Sequence, residues 1–286
     1  MDCLRGQAPV IRQPDKREDV TNEIIYDSAA AGRYENAMAR VTSHFVPFLL
    51  RAARIGIGQR VLDIATGTGL AAQAALTVVG PEGHVIAADA SASMVDQARR
   101  RLGDAANIDV CIADGQAMQF DDGSFDAVIC SLGLMFFPDP ARGLAEFHRV
   151  LRPGGHVALS VLTVPQRSYN GRINVVAARH KPDLRNAIER TFRLGDAPTL
   201  REMFSTAGFG DVETTLERQD FILPSFDEYY EPFEAGGTST GEVLKQLPEA
   251  ARKEVREEVR QSLDDDGGPV TVSVEFLIAR ATRPAG

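Results

Sequence analysis

The segment VLDIATGTGL, at residues 61–70, combines one acid with two threonines and two glycines. Asp63 lies inside an apolar run that reads as a buried strand. Gly67 and Gly69 accept backbone angles that other residues resist, and they let another molecule come close to the main chain. The segment is therefore predicted to hold a ligand.

The elements around this segment alternate between strand-like and helical patterns, which indicates a parallel sheet with helices on both faces. One predicted helix starts after a capping Ser91 and carries the apolar stripe Met94, Val95, Ala98 and Leu102. The five predicted strands of this region span residues 60–65, 84–89, 108–114, 125–132 and 156–162.

The later part of the chain continues with helices and longer strands. Residues 144–155, LAEFHRVLRPGG, are predicted to form a helix that Pro153 and the two following glycines end. A further helix is expected at 198–209, and long strands are expected at 211–223 and 269–283.

The predicted domain organisation is a lid followed by one large domain. Residues 1–54 are expected to form an N-terminal lid, whose helical part, from residue 21 onwards, packs across the sheet edge. Residues 55–286 are expected to form the main domain. Two regions of that domain, 163–196 and 224–267, do not fit a minimal sheet and are predicted to be helical cap inserts.

Composition limits the partners that the chain can have. A net charge of -9 and an isoelectric point near 5.1 argue against nucleic acid as a partner. The cysteines, Cys3, Cys111 and Cys130, are odd in number and form no CxxC pair, so neither disulfides nor a metal site is expected. Because no leader segment and no run of about 18 apolar residues occurs, we expect a cytoplasmic protein without a membrane span.

The predicted strand ends carry further polar residues. In a parallel sheet, ligands bind beyond the carboxyl ends of the strands. The second, third and fourth predicted strands end at or near Asp89, Asp114 and Ser131. Asp89 follows Gly67 by 22 positions, a spacing at which a carboxylate can accept both hydroxyls of a ribose. Two classes of nucleotide cofactor share this feature.

Asp63 helps to distinguish these two classes. The hexapeptide GTGLAA, at residues 67–72, fits the glycine pattern of nicotinamide dinucleotide sites. An acid so close to the loop is, however, a poor neighbour for a pyrophosphate. S-adenosylmethionine carries an ammonium group and a sulfonium group and no phosphate. It is therefore the favoured cofactor, and a nicotinamide-dependent oxidoreductase is the alternative.

Five motifs resemble those of the class I S-adenosylmethionine-dependent methyltransferases, and among them the branch similar to the ubiquinone and menaquinone biosynthesis methyltransferases. The motifs are VLDIATGTG (61–69), IAADAS (86–91), IADGQAM (112–118), FDDGSFDAVICSLGL (120–134) and FHRVLRPGG (147–155). They follow the family's order and spacing over roughly residues 55–162. The resemblance implies an α/β fold with a Rossmann-like, seven-stranded, mostly parallel sheet whose last strand is antiparallel.

The resemblance also implies a cofactor site. The loop from Ala65 to Gly69 would wrap the methionine part, Asp89 would bind the ribose, and Ala90 or Met94 would touch the adenine. The cofactor-binding residues expected on this basis are Asp63, Ala65, Thr66, Gly67, Gly69, Asp89, Ala90, Met94, Asp114, Gly115, Ser131 and Tyr26.

Structural explanations stay open for several of these residues. Asp63 can be a carboxylate that loop amides satisfy, Met94 can be a core residue, and Tyr26 can pack in the lid instead of closing over the cofactor. At Ala65 the chain departs from the pattern, because many relatives have glycine there.

The acceptor is expected to be a small, aromatic or lipophilic molecule that is methylated on carbon, oxygen or nitrogen. Methyl transfer from a sulfonium needs alignment and exclusion of water more than a general base, and no base is assigned. The segment SLGLMFFPDP, after the fourth strand, is chiefly apolar. The side chains expected to form an apolar wall are Leu132, Leu134, Met135, Phe136, Tyr169, Tyr229, Tyr230 and Phe233. Ordinary packing of the aromatic residues, and a non-catalytic binding module, are the alternatives.

Overall fold

The computed structural model describes residues 28–234 and 239–285. Seven strands form one sheet in the order β3-β2-β1-β4-β5-β7-β6. Strand β7 is antiparallel to both of its neighbours, whereas the other pairings are parallel. The predicted mostly parallel sheet is therefore confirmed. The strands are β1 Arg60–Ile64, β2 His84–Asp89, β3 Ile108–Ile112, β4 Phe125–Ser131, β5 Leu151–Leu162, β6 Gly210–Leu223 and β7 Val270–Thr282.

Helices cover both faces of this sheet. They are α1 Ser28–Ala52, α2 Leu70–Val79, α3 Ala92–Leu102, α4 Pro140–Val150, α5 Gly171–His180, α6 Arg185–Phe192, α7 Ala197–Thr206, α8 Phe226–Glu234, α9 Ser239–Lys245 and α10 Glu249–Ser262. None of these helices is long and apolar enough to cross a membrane, over the ranges that the structure describes.

Neighbouring positions along the central strands enter different parts of the core. Val61 and Val85 belong to a cluster with residues of α1, α2 and α3, whereas Leu62 and Ile86 belong to a cluster with residues of α4, α5 and α7. This division follows from the pleat, because successive side chains of a strand point to opposite faces. Strands that are buried on both faces are chiefly apolar, as in other parallel sheets, and the buried Asp63 of β1 is an exception.

The helices that flank the glycine loop form as the sequence indicates. Helix α2 buries Ala71, Ala72 and Ala75, and these small side chains let it lie close to the sheet. Helix α3 begins after Ser91, whose hydroxyl accepts a hydrogen bond from the Met94 amide at 3.4 Å. All four residues of its predicted apolar stripe are buried.

The boundary between α4 and β5 differs from the prediction. The helix ends at Val150, and the strand begins at Leu151, before Pro153. Leu151 pairs with Phe125, and the register then shifts, so that the proline and glycines form a bulge inside the strand. The prediction was wrong because pairing with β4 outweighs the local turn preference of these residues.

The N-terminal helix lies over the sheet face and not across its edge. Phe45 of α1 stacks on Phe276 of β7, with ring centroids 4.1 Å apart. Strand β7 is an inner strand, and the edges of the sheet are β3 and β6. Tyr26 lies outside the described residues, so its role as a cofactor residue stays a prediction, as does the division into lid and main domain.

The two inserts are helical, and they join to form one cap. The Tyr229 hydroxyl in α8 donates to the Tyr169 carbonyl at 2.7 Å, and the Asn170 amide donates to the Thr240 hydroxyl at 2.8 Å. Helix α5 also packs against α10. The inserts therefore support each other through hydrogen bonds, one of them fully buried, as well as through apolar contacts.

Candidate functional site

The predicted site residues meet at the carboxyl ends of the central strands. Strand β1 lies between β2 and β4, and the chain leaves β1 towards β2 on one side while β4 flanks it on the other. A crevice forms at such a topological switch point because the two connections diverge. The loop of residues 65–69 follows β1 directly at this point.

The loop backbone requires left-handed angles at three positions. The φ values are 58° at Ala65, 57° at Gly67 and 85° at Gly69. A Cβ atom on Gly69 would also lie 3.1 Å from the Leu102 side chain and 3.3 Å from Ala98. The glycines are therefore explained by backbone geometry and by the close approach of α3. The left-handed angle at Ala65 explains why glycine suits this position in relatives.

Asp89 connects the tip of β2 to the glycine loop. Its Oδ2 accepts a hydrogen bond from the Gly67 amide at 2.9 Å, and its Oδ1 accepts one from the Ser91 amide at 2.9 Å. Burial raises the pKa of this carboxyl, although the two amides favour the anion. The carboxylate still has lone pairs available for a ligand hydroxyl.

Asp63 is completely buried beneath the loop. The Thr66 hydroxyl donates to its Oδ2 at 2.6 Å, whereas its Oδ1 has no hydrogen-bond partner among the described residues. Burial raises the pKa of Asp63 to about 7, and the nearby Asp89 carboxylate adds to this increase. A buried carboxyl with an unpartnered oxygen suits a ligand group that can donate hydrogen bonds and carry positive charge.

The remaining predicted residues border this crevice on two sides. Asp114 is exposed, and its Oδ1 accepts from the Gln116 amide at 2.9 Å. Gly115 is buried. A Cβ atom there would lie 2.4 Å from the Phe137 ring, so the position has no room for a side chain. Ser131 ends β4 and is partly exposed.

Two residues after the end of β2 differ in exposure. Ala90 is exposed at the start of the turn into α3. Met94 is buried on that helix, which is what the packing alternative expects. Its part in cofactor binding stays a prediction.

The structure adds residues that sequence reasoning missed. Ile112, at the end of β3, pairs with Asp89 and is 59% exposed. Gly133 has no room for a side chain, because a Cβ atom there would lie 2.5 Å from the Ala65 Cβ. The apolar residue before Asp114 could have indicated Ile112, whereas no local signal indicates the contact between the tips of β1 and β4.

The predicted apolar wall is smaller than the sequence suggested. Phe136 is 49% exposed, and Val164, which follows β5, is 43% exposed. The other wall residues are nearly or fully buried, which for the aromatic residues among them is what the packing alternative expects. These are Leu132, Leu134, Met135, Tyr169, Tyr229, Tyr230 and Phe233.

No metal-binding cluster accompanies the crevice. Within residues 28–234 and 239–285, no three His, Cys, Asp or Glu side chains lie close enough together to hold a metal ion. The groups available to a cofactor there are the loop amides and the two acids, Asp63 and Asp89.

Comparisons with known proteins find similarity to methyltransferases. Residues 61–155 match a family model described as a methyltransferase domain. A demethylmenaquinone methyltransferase of Clavibacter sepedonicus is 36% identical over 179 residues, which cover 57% of this chain and 70% of that protein. A ubiquinone/menaquinone biosynthesis C-methyltransferase, UbiE, of Coxiella burnetii is 28% identical over 216 residues, which cover 70% of this chain and 86% of that protein.

Solved structures share the fold at lower identity. Phosphoethanolamine N-methyltransferase 2 of Haemonchus contortus, in complex with S-adenosyl-L-methionine, superimposes with a TM-score of 0.58. The match covers 92% of this chain and 59% of that one, at 20% identity. At this level of identity the likeness concerns the fold alone.

Proposed function

The chain belongs to the class I S-adenosylmethionine-dependent methyltransferases, and we propose that it binds S-adenosylmethionine in the crevice at β1 and β2. From there it transfers the methyl group to a flat, lipophilic acceptor. The observation that carries the cofactor assignment is the pair of acids at neighbouring strand ends. Asp63 lies beneath the loop, and Asp89 lies beside it.

Each acid suits a different part of the cofactor. The free Oδ1 of Asp63 can accept a hydrogen bond from the cofactor ammonium, since no described residue occupies it. The Asp89 carboxylate can accept the ribose hydroxyls while it keeps the loop amide of Gly67. Ile112 and Ala90 offer exposed apolar surface on either side of Asp89 for the adenine.

A nicotinamide dinucleotide fits the same residues less well. Its diphosphate would lie over Gly67, whose amide already donates to the Asp89 carboxylate, and like charges repel at short distance. Family membership and the acidic residues of the crevice both favour S-adenosylmethionine over a dinucleotide. The oxidoreductase alternative is therefore set aside.

In a methyl transfer of this kind, the main task of the protein is to align the methyl donor with the acceptor. When bound, S-adenosylmethionine would supply a methyl group activated by its sulfonium: the acceptor would bond to the methyl carbon, the carbon–sulfur bond would break with its electron pair left on sulfur, and the acceptor's proton would pass to solvent. The chain's own residues hold the cofactor from the loop side and keep apolar surface at the tips of β4 and β5. Orientation and exclusion of water supply much of the rate enhancement in such a displacement.

We propose a quinol ring carbon as the methyl acceptor. Phe136 and Val164 present apolar surface where the acceptor must approach, which favours a flat ring over a charged molecule. The names of two relatives, a demethylmenaquinone methyltransferase and a quinone biosynthesis C-methyltransferase, support a carbon acceptor on such a ring.

Calorimetry tests the cofactor assignment. We expect saturable binding of S-adenosylhomocysteine, with NADH as the matched control that gives no heat. Binding of NADH without S-adenosylhomocysteine would overturn the assignment.

Transfer of a labelled methyl group tests the acceptor. We expect label to enter reduced benzoquinones or naphthoquinones lacking a ring methyl group, and mass spectrometry should place it on carbon. Catechol and a primary amine serve as control acceptors. Methylation of either control, with the quinols left unchanged, would contradict the proposed acceptor class.

A further inference from the structure

The surroundings of Asp63 contain hydrogen-bond donors but no positive charge among the groups that shift its pKa. The Thr66 hydroxyl and the Ala72 amide favour the anion, although neither of them partners Oδ1. The carboxylate of Asp89, from β2, opposes the anion. Burial is the largest effect, and it also opposes the anion.

Two further groups of neighbouring elements complete this environment. Cys130 of β4 interacts electrostatically with Asp63, and burial raises the pKa of the thiol to about 12, so it stays neutral. Arg101 of α3 donates to the Thr68 carbonyl at 2.9 Å, on the same loop. Neither of them supplies a counter-charge that partners the free oxygen of Asp63.

We propose that Asp63 holds a proton in the cofactor-free protein and releases it to solvent when the cofactor ammonium binds, so that cofactor binding is coupled to proton release. This inference rests on the proposed function, because it takes S-adenosylmethionine as the ligand of the crevice. The established family assigns a methyl donor, whereas the coupled proton is a property of this chain's buried, unpartnered carboxyl.

The physical reason is the incomplete ion pair. A buried carboxylate without a counter-charge is strongly disfavoured, and it becomes neutral by taking up a proton. The incoming ammonium supplies both the missing charge and a donor for Oδ1. Linkage is reciprocal, so a ligand that lowers the pKa of Asp63 must bind more tightly as pH rises through that pKa.

Calorimetry with S-adenosylhomocysteine, which keeps the ammonium group, measures the coupling. At pH 6, in buffers of different ionisation enthalpy, we expect release of about one proton per ligand, declining towards none above pH 8. Between pH 5.5 and pH 7.5 the dissociation constant should fall on the order of 20-fold, from the ionised fraction of a group with a pKa of about 7.

Two variants identify the titrating group. Asp63→Asn should bind S-adenosylhomocysteine more weakly at pH 7.5, release no proton and lose most of the pH dependence. Asp121→Asn, which removes an exposed acid in a turn, should keep all three properties of the unchanged chain. Any pH dependence left in Asp63→Asn would belong to Asp89, whose pKa is also raised.

Each outcome decides something. Binding without proton release in the unchanged chain overturns the inference and leaves the proposed function standing. Absence of binding at every pH overturns the proposed function, and the inference with it. Because the proton count is measured on the unchanged chain, the result stands even if Asp63→Asn fails to fold.

Discussion

Ala65 and Leu132 adopt left-handed backbone angles at the tips of two neighbouring strands. Such angles are unfavourable for residues with a Cβ atom, and they concentrate at functional sites. The Leu132 amide donates to both the carbonyl and the hydroxyl of Ser160 on β5, at 3.1 Å each, which holds its angle in place. The strain therefore lies at the crevice in which we propose that the cofactor and the acceptor meet.

Replacing Ala65 with glycine should stabilise the protein. The substitution removes the left-handed strain at φ 58°, and we expect a gain of about 1 kcal/mol in the free energy of unfolding. Urea denaturation measures it. Ala74→Gly, in helix α2, is the matched control and should be destabilising by about 1 kcal/mol. Equal effects at the two positions would contradict the strain argument.

Replacing Asp63 with asparagine should change how stability depends on pH. The folded-state pKa is about 7 and the unfolded value is 3.8, so the folded protein binds more protons between them. Stability from this group is present below pH 3.8 and is lost as pH rises to about 7, by on the order of 4 kcal/mol.

Asparagine has nearly the same shape as aspartate but does not ionise. Its free energy of unfolding should therefore exceed that of the unchanged chain at pH 8, in the absence of ligand, and should vary less between pH 5 and pH 8. Denaturant titrations at these two pH values measure this. A variant that is less stable at pH 8 and equally pH-dependent would show that Asp63 is ionised without a large penalty.

Replacing Asp89 with asparagine should weaken cofactor binding. The amide keeps one acceptor but loses the charge that strengthens hydrogen bonds to ribose hydroxyls, and we expect a loss of roughly 10-fold to 100-fold in affinity for S-adenosylhomocysteine. Asp109→Asn, which removes the exposed partner of His84, is the control. Unchanged affinity in Asp89→Asn would remove this residue from the site.

At the level of elements, the crevice depends on where strands end. Strand β5 begins at Leu151 and passes through a bulge, so Ser160 comes opposite Ser131 in the pairing register. The cap formed by the two inserts is held by the Tyr229–Tyr169 hydrogen bond and by aromatic packing. Its tyrosines are buried, which is what the packing alternative expects.

Two neighbouring tyrosines of helix α8 provide a paired test of this interpretation. Tyr229→Phe removes a buried hydrogen bond and leaves the Tyr169 carbonyl without that donor, which should be destabilising by about 1–2 kcal/mol. The Tyr230 hydroxyl is buried and has no partner in the described parts of the chain, so Tyr230→Phe should be neutral or stabilising. Thermal unfolding of both variants measures the difference. Equal destabilisation of the two variants would contradict the view that only the Tyr229 hydroxyl makes a hydrogen bond.

At the level of the whole molecule, charge and topology agree. The chain carries a net charge of -9, and its crevice holds two acids where a cofactor with ammonium and sulfonium groups is proposed to bind. The sheet order places these acids on neighbouring strands beside the topological switch point. The same electrostatic preference therefore acts at the scale of the site and at the scale of the protein.

Local patterns were sufficient where one element decides its own structure. The apolar stripe of α3, the small residues of α2 and the left-handed glycines all follow from steric rules that act within a few residues. Patterns failed where distant segments compete. Leu151 lies in a strand because it pairs with Phe125 of β4. Helix α1 lies on the sheet face because its Phe45 stacks on Phe276 of β7.

The sequence by itself determined the alternating fold, the family, and the acids and glycines of the site, because these depend on periodicity and on short-range backbone preferences. Only the tertiary structure decided which side chains are buried. It enclosed Tyr229 and Tyr230 in the cap and left Phe136 and Ile112 exposed. It also left Asp63 under the loop with no counter-charge among the described residues that shift its pKa. Many distant segments together determine how deeply a side chain is buried. The free-energy cost of ionising a buried group depends on that burial, so neither the burial nor the cost can be deduced from local spacing.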